Sequence, residues 1–416
     1  MEYIADLHTH SKYAMACSEQ LNLENMDAAA REKGITIMST GDFTHPRWLN
    51  EIKSNLSQSQ GILTLKGSPR STKFILGSEV CTIFEDKGGK SRKIHHGIFV
   101  PDIDSAELVN EQLSKHGNLE SDGRPALMMS PAQLVEAVKG VSRDSFVFPA
   151  HAWTPWFGIL GAFSGFDSIE EGYEDQAKYI HALETGLSSD PAMNWRISKL
   201  DKYALISGSD AHSLPKLGRE AVVFEFEKEP SYKQIIDSIK EKRMKMTIEF
   251  YPEEGKYHFD GHRNCNISLS PEESSRYGDR CPRCGKRLTI GVLHRVDKLA
   301  DREEGYKPSN AVPFVHAIPL EEVIAYVMKK NTYSPFVKSS YKKLIEKFST
   351  EFNVLIKADI DQIKEADKDL GKAIGSVREG RVNLVPGYDG IFGIIDIFNE
   401  VKQRKEAGKQ ARISEF

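Results

Sequence analysis

The run Tyr3–His10 reads as a short apolar strand that ends in His8-Thr9-His10. Side chains at i and i+2 of a strand share a face, so His8 and His10 project together and can grip one metal ion. Two imidazoles do not complete a coordination shell. A chain with this start therefore has to fold so that later segments bring further ligands to the pair.

Residues 1–215 alternate strand-like and helix-like segments in a way that does this. Leu23–Lys33 is predicted helical with Gly34 as its stop. Ile35–Thr40 is predicted strand and leads to Asp42; Phe74–Val80 carries Glu79; Lys93–Val100 carries His95 and His96. Ser130-Pro131 caps and opens a helix to Val141. Phe146–Ala150 leads to His151, and Ala182–Thr185 carries Glu184. Asp190-Pro191 opens a helix to Leu200, and Tyr203–Ser207 leads to Asp210 and His212. Singly, each of these polar residues could be a turn or cap residue. Jointly they place a His, Asp or Glu on or just after strand after strand, the arrangement of a (β/α) barrel whose strand ends converge on one site. His95 and His96 cannot both face that site, and pattern favours His95. Ser54–Ser71 reads as a polar surface loop and Asp86–Arg92 as a hairpin turn. Directly after His151, Trp153 and Trp156 lie in an aromatic loop that is either a packed lid or a stacking surface for a base.

A second module follows. His262 and Cys265, then Cys281 and Cys284 after fifteen intervening residues, have the spacing of a structural Cys3His zinc site, with Gly285 suited to the tight knuckle. Residues 262–295 hold seven Arg and Lys, among them Arg283 and Arg287, against three acids, in a chain whose formal net charge is −4. A local basic patch has the right sign for a phosphate backbone. The remainder is predicted mainly helical: Pro319–Lys330, Ser340–Phe352 and Ile360–Ala373. Then comes the constrained loop Pro386-Gly387-Tyr388-Asp389-Gly390, either a hairpin turn or a rigid loop presenting Tyr388 to nucleic acid, and a polar tail at 401–416. The domain boundaries expected are 1–250, 251–298 and 311–416.

At 39% hydrophobic and 28% charged residues the chain is globular rather than disordered. No run reaches the roughly 18 apolar residues of a membrane helix. Residues 1–10 lack a signal-peptide pattern. The expectation is an intracellular, cytoplasmic and nucleoid-associated protein without a membrane partner.

The ordered set His8-x-His10, Asp42, Glu79, His95/His96, His151, Glu184 and Asp210-x-His212 resembles the polymerase-and-histidinol-phosphatase (PHP) superfamily over about residues 1–250. The resemblance implies a distorted, TIM-like (β/α) barrel hydrolysing phosphoesters with two or three divalent metals, zinc, magnesium or manganese. It implies that His8, His10, Glu79 and Asp210 bind one metal. Glu79 would bridge to a second, held by His95 or His96 and His151, while Asp42 and His212 help hold a third. The sequence departs from the superfamily at Cys17, where a Ser-x-Asp-type ligand is usual, and at Asp42 versus His45.

PHP barrel, Cys3His module and the helical segment with its Pro-Gly-Tyr-Asp-Gly loop together resemble the endonuclease Q family. That resemblance implies a DNA repair endonuclease cutting 5′ to deaminated bases (uracil, hypoxanthine, xanthine) and at abasic sites by metal-activated water, with His8, His10, Glu79 and Asp210 catalytic. Trp153, Trp156, Arg283, Arg287 and Tyr388 are the DNA-contact candidates. A sliding clamp is a further candidate partner, although no clamp-binding peptide is evident in the tail. The alternatives are another PHP phosphoesterase, exonuclease-like or histidinol-phosphatase-like, or a zinc-dependent nucleic-acid-binding protein with an inactive barrel.

Overall fold

The computed structural model describes residues 1–68 and 71–398; the polar tail expected at 401–416 lies outside the described residues. The chain divides into two compact units. Among the described residues, one comprises residues 1–31, 35–248 and 295–314, and the other 32–34, 249–294 and 315–398.

The first unit is built on strands β1 (Glu2–Asp6), β2 (Ile37–Ser39), β3 (Leu56–Ser59), β4 (Ile62–Leu65), β5 (Lys73–Glu85), β6 (Ser91–Val100), β7 (Ala126–Leu127), β8 (Phe146–Pro149), β9 (Ala182–Glu184), β10 (Ala204–Ile206) and β11 (Ala221–Glu225). Strands β1, β2 and β5 run parallel side by side, β11 flanks β1 antiparallel, and β5, β6 and β8 pair antiparallel in turn. Strands β9 and β10 form a separate parallel pair. The irregular mixture is a distorted α/β barrel rather than a regular one. Its core is apolar and fully buried, with Leu7, Ile37, Ile75, Phe99, Phe148, Ile206 and Phe224 among its members.

Local chemistry accounts for the helices. Helix α1 (Leu23–Lys33) ends at Gly34, whose φ of 90° an L side chain adopts poorly. Helix Pro131–Val141 is capped by Ser130 in a reciprocal capping box with Gln133. The helix expected to run from Pro191 to Leu200 stops at Trp195. There the Trp195 carbonyl is taken by Arg302, and the Arg196 carbonyl by the amides of Asp301 and Arg302, in place of continued helical bonds. The polar stretch expected as a loop at 54–71 contains the β3–β4 hairpin. Gln60 and Gly61, with φ of 51° and 77°, form its two-residue turn, and Leu56 and Leu63 are its buried face.

In the second unit, short strands Asp260–His262 and Ile267–Leu269 pair antiparallel. Helices Leu320–Met328, Pro335–Phe348, Ile360–Ala366 and Lys368–Arg378 make the helical part, and Asn383–Val385 pairs with Ile394–Asp396. No helix among the described residues is long and apolar enough to cross a membrane.

Candidate metal centre

His8 and His10 follow β1 on a segment held by a parallel bridge between Thr9 and Ala211. The fully buried Asp6 carboxylate accepts the amides of Ser209 (3.0 Å) and Gly218 (2.8 Å), which seats the loop carrying Asp210 against this segment. Gly208 is obligatory there, because a Cβ would stand 2.5 Å from the His8 Cβ and 2.7 Å from Glu184 Oε1.

Strand pairing decides between His95 and His96. Glu79 stands opposite Gly97. His95, two residues from Gly97, therefore shares Glu79's face, and His96 faces away. The His95 ring reaches Glu79 Oε1 at 2.7 Å. His96 instead bonds Thr82 Oγ1 (2.9 Å) and the Tyr173 hydroxyl (2.7 Å) in the core. Burial pushes His96 down to about 3, so it is a neutral packing residue.

Glu79 serves two clusters, one with each oxygen. Oε2 lies 3.3 Å from His10 Nε2 and 3.6 Å from His8 Nε2, and Asp210 Oδ1 lies 3.0 Å from His10 Nε2. Oε1 lies 2.9 Å from His151 Nε2, and His151 Nε2 lies 3.2 Å from His95 Nδ1. In each set, His8, His10, Glu79 and Asp210 or Glu79, His95 and His151, one ligand atom per residue falls within 4.8 Å of the others.

Outer contacts fix the rings. His8 Nδ1 donates to Glu184 (2.9 Å), whose Oε2 also accepts the His151 amide (2.7 Å). His10 Nδ1 donates to Asp42 Oδ1 (2.9 Å), and Asp42 Oδ2 accepts the Ser11 amide and hydroxyl (2.6 and 2.7 Å). With Nδ1–H donated, each ring turns its Nε2 into the cavity. His8 Nε2 is buried with no hydrogen-bond partner. Such an orphaned acceptor among carboxylates and imidazoles fits a divalent cation. Asp42, His151 and Asp210 have φ of 50°, 30° and 47°, left-handed backbone that non-glycine residues seldom adopt and that concentrates at functional sites.

The cluster's electrostatics are strongly coupled. Burial acts against charge on His8 and His10, but Glu184 and Asp42 respectively hold both well above the ordinary imidazole range. Burial also works against the Glu79 and Asp210 anions, yet the surrounding imidazoles hold both carboxyls well below theirs. Burial pushes His95 down to about 4.

Asp42 lies behind His10 as its orienting partner and belongs to neither ligand set. His45 stacks on Tyr13 at 4.4 Å with its Nδ1 unpartnered. His212 bonds the Asp210 carbonyl (2.9 Å) and is a third exposed. Cys17 joins neither set, and burial pushes its thiol up to about 12.

The structure adds Arg124, whose Nη1 lies 3.2 Å from Glu79 Oε2. Although burial disfavours its charge, Glu79 and Asp210 hold it above the ordinary guanidinium range. No motif marks it; it follows Asp122, whose carboxylate accepts the Met15 and Arg124 amides (2.9 and 3.1 Å). Trp153 is corrected as a DNA-contact residue: it is fully buried, its indole donates to Asn194 (2.8 Å), and it has no face left for a base. Trp156 is 39% exposed and stacks on Phe163, and the equally exposed Phe157 covers the His95 ring at 4.5 Å.

In the second unit His262, Cys265, Cys281 and Cys284 converge to within 4.8 Å. Gly285, at φ 72°, donates its amide to the Cys281 carbonyl (2.8 Å) and closes the knuckle. Desolvation raises the Cys281 thiol, but the amides of Cys284 and Arg283 bring it below the ordinary range. One imidazole and three thiols in this spacing suit a closed zinc site. Arg283 and Arg287 are exposed beside it. Tyr388 is corrected too. It is 3% exposed, its hydroxyl donates to Asn266 (2.8 Å), and neighbouring Asp389 accepts the Arg263 amide and the Thr289 hydroxyl (2.7 Å each). The Pro-Gly-Tyr-Asp-Gly loop thus braces the zinc module and presents no wedge.

Comparison with known proteins agrees with this architecture. A crystal structure of the lesion-specific endonuclease PfuEndoQ from Pyrococcus furiosus superposes with a TM-score of 0.86, at 30% identity over 96% of each chain. The chain belongs to the endonuclease Q family. A second endonuclease Q structure, in complex with a 27-mer duplex bearing an abasic lesion at the active site, matches with a TM-score of 0.85, 30% identity and coverage of 96% of this chain and 98% of that one. Residues 195–244 match the PHP-associated family model and 319–381 the MJ0043 C-terminal domain model. YqxK of Bacillus subtilis is 28% identical over 94% of this chain and 98% of its own length. Protein MJ0043 of Methanocaldococcus jannaschii is 32% identical over 59% of this chain, a match that spans 31% of that longer relative.

Proposed function

We propose that this endonuclease Q family member is a DNA repair endonuclease that hydrolyses the phosphodiester 5′ to deaminated bases (uracil, hypoxanthine, xanthine) and to abasic sites. The observation that carries the reading is Glu79, whose two oxygens face two separate imidazole clusters. When bound, divalent ions at these two sets would supply an activated water and stabilise the leaving oxygen of a phosphodiester. His8, His10 and Asp210 would hold one ion with Glu79, and His95 and His151 the other. Asp42 and His212 stand beside the first set as candidates for a third. Asp210, a quarter exposed, would accept a proton from an incoming water. Arg124 brings a fixed positive charge to the cavity and would meet a non-bridging phosphate oxygen. A stacked lesion cannot be inspected in such a cavity, so the nucleotide has to turn out of the duplex, at least cost where pairing is already impaired. Phe157, against His95, and Trp156, on Phe163, offer exposed rings, and Arg283 and Arg287 offer charge to the backbone. The Cys3His cluster would hold a structural zinc.

The decisive assay uses closed circular DNA carrying one uracil, inosine or abasic site, with magnesium, manganese or zinc. Nicking mapped to the 5′ side of the lesion is expected. Hydrolysis of nitrophenyl phosphate alone, or digestion only from free ends, would sink the reading in favour of a phosphatase or an exonuclease.

A further inference from the structure

Helices Leu320–Met328 and Pro335–Phe348 form an αα-hairpin whose tip has no role in the reading above. At this tip Tyr333 is 79% and Phe336 67% exposed, the two most exposed aromatic rings among the described residues. Rings exposed at that level, Phe336 covered only by the Lys330 ammonium at 5.8 Å, mark contact surfaces. The same stretch is strongly basic. From 329 to 347 there are six lysines and one acid, Glu346, in a chain of formal net charge −4.

The arrangement is directional. Val337, Tyr341, Leu344 and Phe348 form the buried face of the second helix. At 100° per residue, Phe336, Lys343 and Lys347 fall together on one flank of that face. Lys343 and Lys347 are exposed, stand about 6 Å apart along the axis, and among the described residues neither has a carboxylate partner. Lys338 and Lys342, on the other flank, are occupied by Glu321 (2.5 Å) and Glu346 (3.9 Å). Two exposed rings near the tip, with exposed Lys343 and with Lys347 held only by the Gln362 carbonyl (3.4 Å) and the Phe348 ring, match a polymer that alternates flat apolar groups with regularly spaced negative charge. A nucleic-acid strand has that form. An acidic protein surface would satisfy the lysines but gives the paired rings no comparable stacking partner.

We propose that this hairpin tip is a DNA-docking surface separate from the metal centre. Tyr333 and Phe336 pack on bases or sugars, and Lys343 and Lys347 contact phosphates of the same strand. The proposal rests on the reading of the chain as a DNA endonuclease.

The test measures the full chain's affinity for a labelled duplex with one abasic site and for the same duplex without it, over a salt series. Tyr333→Ala/Phe336→Ala should weaken binding to both duplexes about tenfold or more. Lys343→Ala/Lys347→Ala should lower the slope of log affinity against log salt by about 2. Because all four side chains are exposed, an unchanged melting temperature accompanies both effects. Wild-type affinity and slope in both variants, while the wild-type chain nicks lesion DNA, overturn the docking surface and leave the endonuclease reading standing. Unchanged DNA binding with loss of an oligomer on sizing also overturns it, by assigning the tip to a protein contact. A wild-type chain that neither binds nor nicks overturns both.

Discussion

The two ligand clusters of this chain are built on opposite principles. At the barrel mouth three of the four ligand imidazoles are anchored from behind: His8 by Glu184, His10 by Asp42, His151 by Thr154. Ligands come from residues as far apart in sequence as 8 and 210, and Glu79 is divided between two sets. In the Cys3His cluster four ligands come from within residues 262–284, none has a left-handed φ, and the nearest support is backbone amides directed at sulfur. The first arrangement holds ligands in fixed orientation around exchangeable positions, as chemistry requires. The second closes a small fold around one ion. On the proposed reading, long-range, strained ligation marks the catalytic centre, and local closed ligation the structural one.

That contrast is breakable by substitution. The largest effect on nicking is expected from Glu79→Gln and Asp210→Asn. Each removes a carboxylate from the metal set and should cost about 10³-fold or more in single-turnover rate, while DNA affinity stays close to wild type. Retained activity in Asp210→Asn refutes its assigned role. Arg124→Ala should follow at about 10²-fold, read as slower turnover at saturating DNA with wild-type metal content. If metal content falls instead, Arg124 organises Glu79 and does not meet substrate. Glu184→Gln keeps the shape behind His8 and His151 but removes the charge, and should lower metal affinity or rate by about 10- to 100-fold. Added metal should restore part of that loss. Cys281→Ser should have the smallest effect on chemistry per folded molecule. Its signature is the loss of one zinc equivalent by elemental analysis and a lower melting temperature. Full zinc retention would break the comparison from the structural side.

Much of the metal centre was legible because its ligands follow the strand pattern. A polar residue at the end of an apolar run stands out even without neighbours. What stayed hidden depends on distant partners. His95 and His96 separate only once Gly97 is known to stand opposite Glu79. Arg124 sits in a loop with no periodic pattern, and its role comes from Glu79, 45 residues earlier. Trp153 and Trp156 are three residues apart in one aromatic loop, yet the first is buried with its indole bonded to Asn194 and the second lies at the surface. Tyr388 reads as an exposed tip until Asn266, 122 residues away, is found to take its hydroxyl. The β3–β4 hairpin was obscured because serines and glutamines outnumber the leucines that define its buried side.

On the proposed function, Glu79 ties two metal positions into one phosphodiester-cleaving site. The most direct test is to titrate manganese into the metal-stripped wild-type chain and Glu79→Gln, following bound metal alongside nicking of closed circular DNA with a single abasic site. Wild type should gain nicking on the 5′ side of the lesion as a second barrel ion binds, and Glu79→Gln should take up fewer ions and not nick. Full nicking by Glu79→Gln, or by wild type with one barrel ion bound, would contradict that role of Glu79.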